Sequence, residues 1–174
     1  MINGIDILKE KYPDRNNKDY QPAGLDLRIG KLYEYDPHQD SFAGIIGGNK
    51  ILPPLRQVKP IFVNDMNDHP YECFELKPHT PYIAEVATPI KIDVDSAQFY
   101  KPRSTLLRSF VTVSTALGDP GYNGHLQFLL INHGFNPYYL EFGERFAQLI
   151  DIRVDENHEV YDGDYQETDK DEKI

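Results

Sequence analysis

Apolar and polar side chains alternate at period two over several short stretches, the spacing of strands with one buried face. After Pro89 the chain reads Ile90-Lys91-Ile92-Asp93-Val94. Phe146-Ala147-Gln148-Leu149-Ile150-Asp151-Ile152-Arg153-Val154 repeats the pattern. Tyr82-Ile83-Ala84-Glu85-Val86 and the β-branched run Phe110-Val111-Thr112-Val113-Ser114-Thr115 read as further strands. Residues 125–132 form a short apolar run between Gly124 and His133-Gly134. Turn signals separate these runs: Gly118-Asp119-Pro120-Gly121, Asn136-Pro137 and Phe142-Gly143. Helices are expected only at residues 4–11 and 103–109. Residues 40–68 carry three glycines and three prolines among scattered apolar side chains. A long irregular excursion with one or two short strands, and no chemistry, is expected there. With no βαβ rhythm and no repeat, the pattern predicts a mostly β chain: a distorted antiparallel barrel, jelly-roll-like, with short helices.

At 174 residues, 40% hydrophobic and 12% aromatic, the chain suits one globular domain. The net charge of −10 is unevenly spread. Residues 1–150 hold 15 basic and 18 acidic side chains, and residues 151–174 hold 3 and 10. We therefore expect a domain over residues 1–154 and an acidic tail over 155–174, solvated from residue 167 onward. A chain this acidic does not fit duplex-DNA binding, which needs a basic surface. No apolar run approaches the ~20 residues of a membrane helix, and residues 1–10 do not read as a signal peptide. Cys73 has no partner for an intramolecular disulfide. The expectation is a cytoplasmic protein with neither nucleic-acid nor membrane partners.

Several chemistries lack their residues. His38, His69, His79, His125, His133 and His158 show no zinc-ligand spacing, and one cysteine cannot form Cys-x-x-Cys. Phosphate-cradling Gly-rich loops and Gly-x-Ser-x-Gly are absent. Four polar segments remain. Pro22-Ala23-Gly24-Leu25-Asp26-Leu27-Arg28 places Asp26 and Arg28 on one face of a strand. Lys101-Pro102-Arg103-Ser104-Thr105-Leu106-Leu107-Arg108 reads equally as a capped surface helix or as an anion-binding helix start. In the second reading Arg103 and Ser104 meet phosphate oxygens, Thr105 shares the first turn and Arg108 lies on the face of Ser104. Gly118-Asp119-Pro120-Gly121-Tyr122-Asn123-Gly124 is a tight turn whose Asp119 can deprotonate a water and whose Tyr122 ring can cover a sugar. Phe142-Gly143-Glu144-Arg145-Phe146-Ala147-Gln148-Leu149 delivers Arg145 and Gln148 to a strand.

In order and spacing these segments resemble the motifs of the dUTPase and dCTP deaminase superfamily. Ala23-Gly24-Leu25-Asp26-Leu27-Arg28 looks like its first motif and Arg103-Ser104-Thr105-Leu106 like its second. Asp119-Pro120-Gly121-Tyr122-Asn123-Gly124 is similar to the third, and Gly143-Glu144-Arg145-Phe146-Ala147-Gln148-Leu149-Ile150 to the fourth. The resemblance covers roughly residues 21–154, weakly over 40–68, and implies a dUTPase-like fold and a homotrimer with sites between subunits. Asp119-Pro120-Gly121, Arg108 and the segment Tyr161-Asp162-Gly163-Asp164-Tyr165-Gln166 echo the deaminases in particular. Yet the deaminase glutamate, ten residues after the aspartate, is here Leu129, and no Asp or Glu lies between Asp119 and Glu141. Leu129 cannot shuttle the proton that replacing the cytosine amine requires.

The resemblance therefore implies dUTP diphosphatase chemistry on a deaminase-like scaffold, giving dUMP and pyrophosphate. The alternative is a dCTP deaminase, or an enzyme combining both activities. On the favoured reading Asp119 is the catalytic base, and Arg103, Ser104, Thr105, Arg108, Arg145 and Gln148 bind substrate. Tyr122 packs on deoxyribose. Mg²⁺ is carried mainly by the triphosphate, with Asp26 holding it through water. Tyr165 and Gln166 belong to a lid reaching to about residue 166.

Overall fold

Gly24–Tyr35 forms a twelve-residue strand, and most of the sheet is laid out around it. The computed structural model describes residues 2–39, 42–154, 159–163, 165 and 166. The expectations for residues 155–158, 164 and 167–174 lie outside them. In chain order the elements are α1 (Ile5–Lys11), β1 (Tyr20–Gln21), β2 (Gly24–Tyr35), β3 (Gly44–Ile46), β4 (Asn49–Ile51), β5 (Leu55–Val58), β6 (Ile61–Asn64) and β7 (Pro70–Leu76). They continue with β8 (Pro81–Val86), β9 (Ile90–Lys91), β10 (Ser96–Pro102), α2 (Ser104–Arg108), β11 (Val111–Ser114), β12 (Asn123–Gly124), β13 (Gln127–Asn132), β14 (Tyr138–Glu141) and β15 (Arg145–Arg153).

The main sheet is antiparallel and runs β10-β15-β2-β8-β13-β11, with β1 and β5 also paired to β2. An isolated bridge between Gln98 and Gly118 returns the hairpin after β11 to β10, so the sheet curls into a nearly closed barrel. A buried apolar cluster fills much of the inside, where Leu25, Leu27 and Ile29 of β2 join Phe128 of β13 and Phe146 of β15. The Phe128 ring lies 5.1 Å from that of Tyr100 and 5.6 Å from that of Phe146. A single buried side chain, Leu106, pins α2 to this core, and Leu8 does the same for α1. No helix among the described residues is long and apolar enough to cross a membrane.

The mostly β barrel expected from the periodicity is present, with three corrections. Residues 42–64 carry four short strands, β3 to β6, rather than one or two. Their side chains are largely exposed, so no buried face imposed a readable alternation. The alternating run from Ile90 ends as a strand at Lys91. Ile92 is buried, but its amide bonds the Tyr122 carbonyl at 2.8 Å, outside any strand. Phe110 does not start β11; its φ of 61° closes the turn leaving α2.

At Gly24 the strands approach so closely that a methyl group would overlap the carbonyl oxygen of Leu149 on β15. Gly24→Ala is therefore expected to cost about 1–3 kcal/mol of stability, read as an earlier midpoint in denaturant unfolding. A midpoint equal to wild type would show that β2 and β15 can separate without penalty.

Candidate active site

The first polar cluster lies where β2, β15 and the β10–α2 junction converge. Asp26 sits directly opposite Gln148, which is also opposite Lys101 of β10. A register shift between Arg145 and Ala147 leaves Phe146 unpaired in the β2–β15 ladder and sets Arg145 opposite Arg28. Such a like-charge pair would repel, and two buried carboxylates offset it. Asp26 accepts from Arg103 Nη1 at 2.8 Å and from Arg145 Nη1 at 3.3 Å. Gln21 at 3.3 Å and Gln148 at 3.5 Å also donate to it. Asp19 takes a two-pronged bond from Arg28 at 3.0 and 2.7 Å, whose third nitrogen reaches the Gly143 carbonyl at 2.8 Å. Burial drives the Asp26 pKa up, and Arg103 and Arg145 only partly draw it back.

Ser104 and Thr105 open α2 immediately after Arg103, and Arg108 ends it; all three are exposed. Pro102 closes β10 instead of opening the helix, and Arg103 is its extended N-cap. With five residues α2 makes little more than one turn. The positive charge at this end of the barrel therefore comes mainly from the arginines.

The second cluster is the hairpin carrying Asp119 and Tyr122. Gly121 has φ of 82°, a conformation costly for other residues. Residues 159–163, 165 and 166 lie across this hairpin. The Tyr161 amide donates to Pro120 O at 2.7 Å, and the Tyr161 ring meets that of Tyr122 edge-on at 5.6 Å. The Gln166 amide donates to Gly121 O at 3.1 Å and accepts from Asn123 N at 3.2 Å. Tyr165 bonds the Tyr161 hydroxyl through its backbone, and Lys50 of β4 lies 5.8 Å from its ring.

The two clusters attach to β10 at different points. The hairpin joins β10 at Gln98, five residues before Arg103, and those residues span roughly 16 Å of extended strand. A cavity of about 450 Å³ lies apart from both, beyond α2 between Ser109 and Tyr138.

Asp26 suits a metal-held water poorly. Its oxygens already accept from two guanidinium and two amide groups. Among the described residues no group of three or more His, Cys, Asp or Glu could hold an ion.

Periodicity and motif spacing missed Asp19 and Gln21, which sit before the first motif with no local signal. They also missed Glu85, which lies opposite Gln127 and so faces the same way as Leu129, two residues along β13. Burial would raise the Glu85 pKa, but hydrogen bonds from Lys31 at 2.8 Å and Gln127 at 3.1 Å hold it below the ordinary range.

This barrel, with its two polar clusters, defines a class that comparison with known proteins identifies. A family model described as dCTP deaminase-like matches residues 4–154. The chain belongs to the dCTP deaminase-like family. It is 42% identical over 167 residues, 96% of this chain and 100% of the other, to a probable deoxyuridine 5'-triphosphate nucleotidohydrolase of Methanothermobacter thermautotrophicus. It is 31% identical over 162 residues, 92% and 85% of the two chains, to a dCTP deaminase of Thermococcus gammatolerans. Among solved structures, the dCTP deaminase of Agrobacterium tumefaciens shares the fold, with a TM-score of 0.63 at 18% identity, over 88% of this chain and 48% of that one.

The raised Asp26 pKa has a sign consequence. Folding favours its protonated form, so its contribution to stability is full below the unfolded carboxylate pKa and is lost as pH rises through the folded one. Asp26→Asn should therefore leave stability at pH 7 within about 1 kcal/mol of wild type. Arg103→Met, which strands the buried carboxylate, should cost about 3 kcal/mol. Denaturant unfolding of both variants checks this; equal losses would contradict it.

Proposed function

We propose that the protein is a dUTP diphosphatase that hydrolyses dUTP at the α-phosphorus. The observation that carries the reading is the pairing of a retained Asp119 with Leu129 at the position where the deaminases keep their glutamate. The nearest carboxylate on that face, Glu85, is held ionised by Lys31 and does not replace the missing proton shuttle. The relative named as a deoxyuridine triphosphate nucleotidohydrolase, similar over its whole length, supports the same choice.

Asp119 takes a proton from water as the water oxygen bonds the α-phosphorus. The bond from that phosphorus to the bridging oxygen breaks, and pyrophosphate leaves. A triphosphate carries about four negative charges, which Arg103 and Arg145 offset at the barrel end while Ser104, Thr105 and Gln148 hydrogen-bond its oxygens. Arg108 extends the cationic surface along α2. Mg²⁺ belongs to the substrate in this reading, bound by phosphate oxygens, and Asp26 orients the two arginines. Tyr122 packs on the deoxyribose, and backbone groups of the 114–119 hairpin read uracil.

The separation of the two clusters along β10 supports a homotrimer in which one subunit's arginines face another's Asp119 hairpin. Residues 1–154 form the catalytic domain, and the segment reaching to about residue 166 serves as its lid, a reading supported by the contacts of Tyr161 and Gln166 with the hairpin. The protein works in the cytoplasm, where the lone buried Cys73 stays reduced.

A panel of dUTP, dCTP and dTTP with pyrophosphate and ammonia measured separately decides the activity. Pyrophosphate from dUTP without ammonia from dCTP is expected; ammonia would establish the deaminase alternative. Asp119→Asn should lower kcat at least about a hundredfold while dUTP still binds, and near-normal turnover would remove Asp119 as base. Deleting residues 161–174 should raise KM for dUTP, whereas an unchanged KM would reduce the tail to a solvated appendage.

A further inference from the structure

A polar network runs through the barrel interior from α1 to the hairpin that bears Asp119. Gln98, fully buried on β10, uses its whole amide. Its Nε2 donates to the Tyr12 hydroxyl at 2.6 Å and to the Asp151 carboxylate at 3.1 Å, and its Oε1 accepts from the Tyr100 hydroxyl at 2.9 Å. Asp151, also fully buried, takes further bonds from Lys11 at 3.1 Å and from Asn3. Apolar side chains of similar shape could fill such an interior at no loss of stability. A polar network adds direction, because each member is held at a fixed angle by its neighbours.

Both ends of the network close on the hairpin. The backbones of Gln98 and Gly118 exchange two hydrogen bonds of 2.8 Å. The Tyr100 hydroxyl lies so close to Gly118 that a methyl group there would overlap it. On the other flank the Tyr12 hydroxyl reaches the Lys91 carbonyl at 3.4 Å, and Lys91 pairs with Asn123. Asp119 lies between these two fixed points.

We propose that Gln98, Tyr100 and Tyr12 are positioning residues that hold the hairpin at Gly118 and Asn123 and so aim the Asp119 carboxylate at the attacking water. The inference rests on Asp119 being the general base. It assigns a catalytic consequence to side chains that cannot touch the nucleotide.

Tyr100→Phe removes the hydroxyl beside Gly118, and Tyr12→Phe the one that reaches Lys91. Each should lower kcat for dUTP about ten- to hundredfold and leave KM within about twofold. The decisive comparison places each change in an Asp119→Asn background. A residue acting through Asp119 should cost nothing further there, whereas a general structural defect would lower the residual rate by the same factor. Turnover within about twofold of wild type in both single variants, or an equal loss in both backgrounds, overturns the proposal. Near-normal turnover in Asp119→Asn alone would overturn the role of Asp119 itself, an outcome distinct from failure of the network.

Discussion

The burial of the Asp26 carboxylate is the constraint around which one end of this barrel is arranged. An anion withdrawn from water needs compensating charge, and that charge comes from two elements far apart in sequence, Arg103 before α2 and Arg145 at the start of β15. Burial still wins, since the Asp26 pKa stays above the ordinary range. The arginines do not fully offset that burial. What it provides is two guanidinium groups held side by side at the barrel rim, with Asp19 and Arg28 forming a second pair beside them. Preorganised charge of this kind is useful to a ligand that brings several negative charges of its own.

A different device holds the hairpin that carries Asp119: its direction is fixed through the backbone. Gly118 is bonded to Gln98, Gly121 takes a left-handed conformation, and Tyr161 and Gln166 lie across the turn. Both devices are mounted on β10, one at Gln98 and one at its Pro102 end. The strand sets them apart, with Arg103 five residues beyond Gln98.

The acidic balance of the chain takes on a different meaning in this setting. The arginines of the motifs lie in the nearly neutral body, and most of the surplus acid follows residue 150. Tyr161 and Gln166 bring part of that acidic stretch onto the hairpin through three hydrogen bonds to its backbone and a ring contact.

The sequence by itself determined the local elements whose signal is local. The strand read at Tyr82–Val86 and the alternating run over residues 146–154 match β8 and β15 to within a residue, and the buried Leu106 fits the short helix expected after Pro102. Motif order was also legible, because residue type and spacing survive without a fold. The tertiary structure decided what depends on partners distant along the chain. Exposed strands β3 to β6 had no buried face to impose alternation. Asp26 read as a metal-water ligand until two arginines, 77 and 119 positions away, occupied its oxygens. Asp19, Glu85 and Gln98 carried no local signal at all, since a polar side chain acquires its role only when folding chooses the groups that surround it.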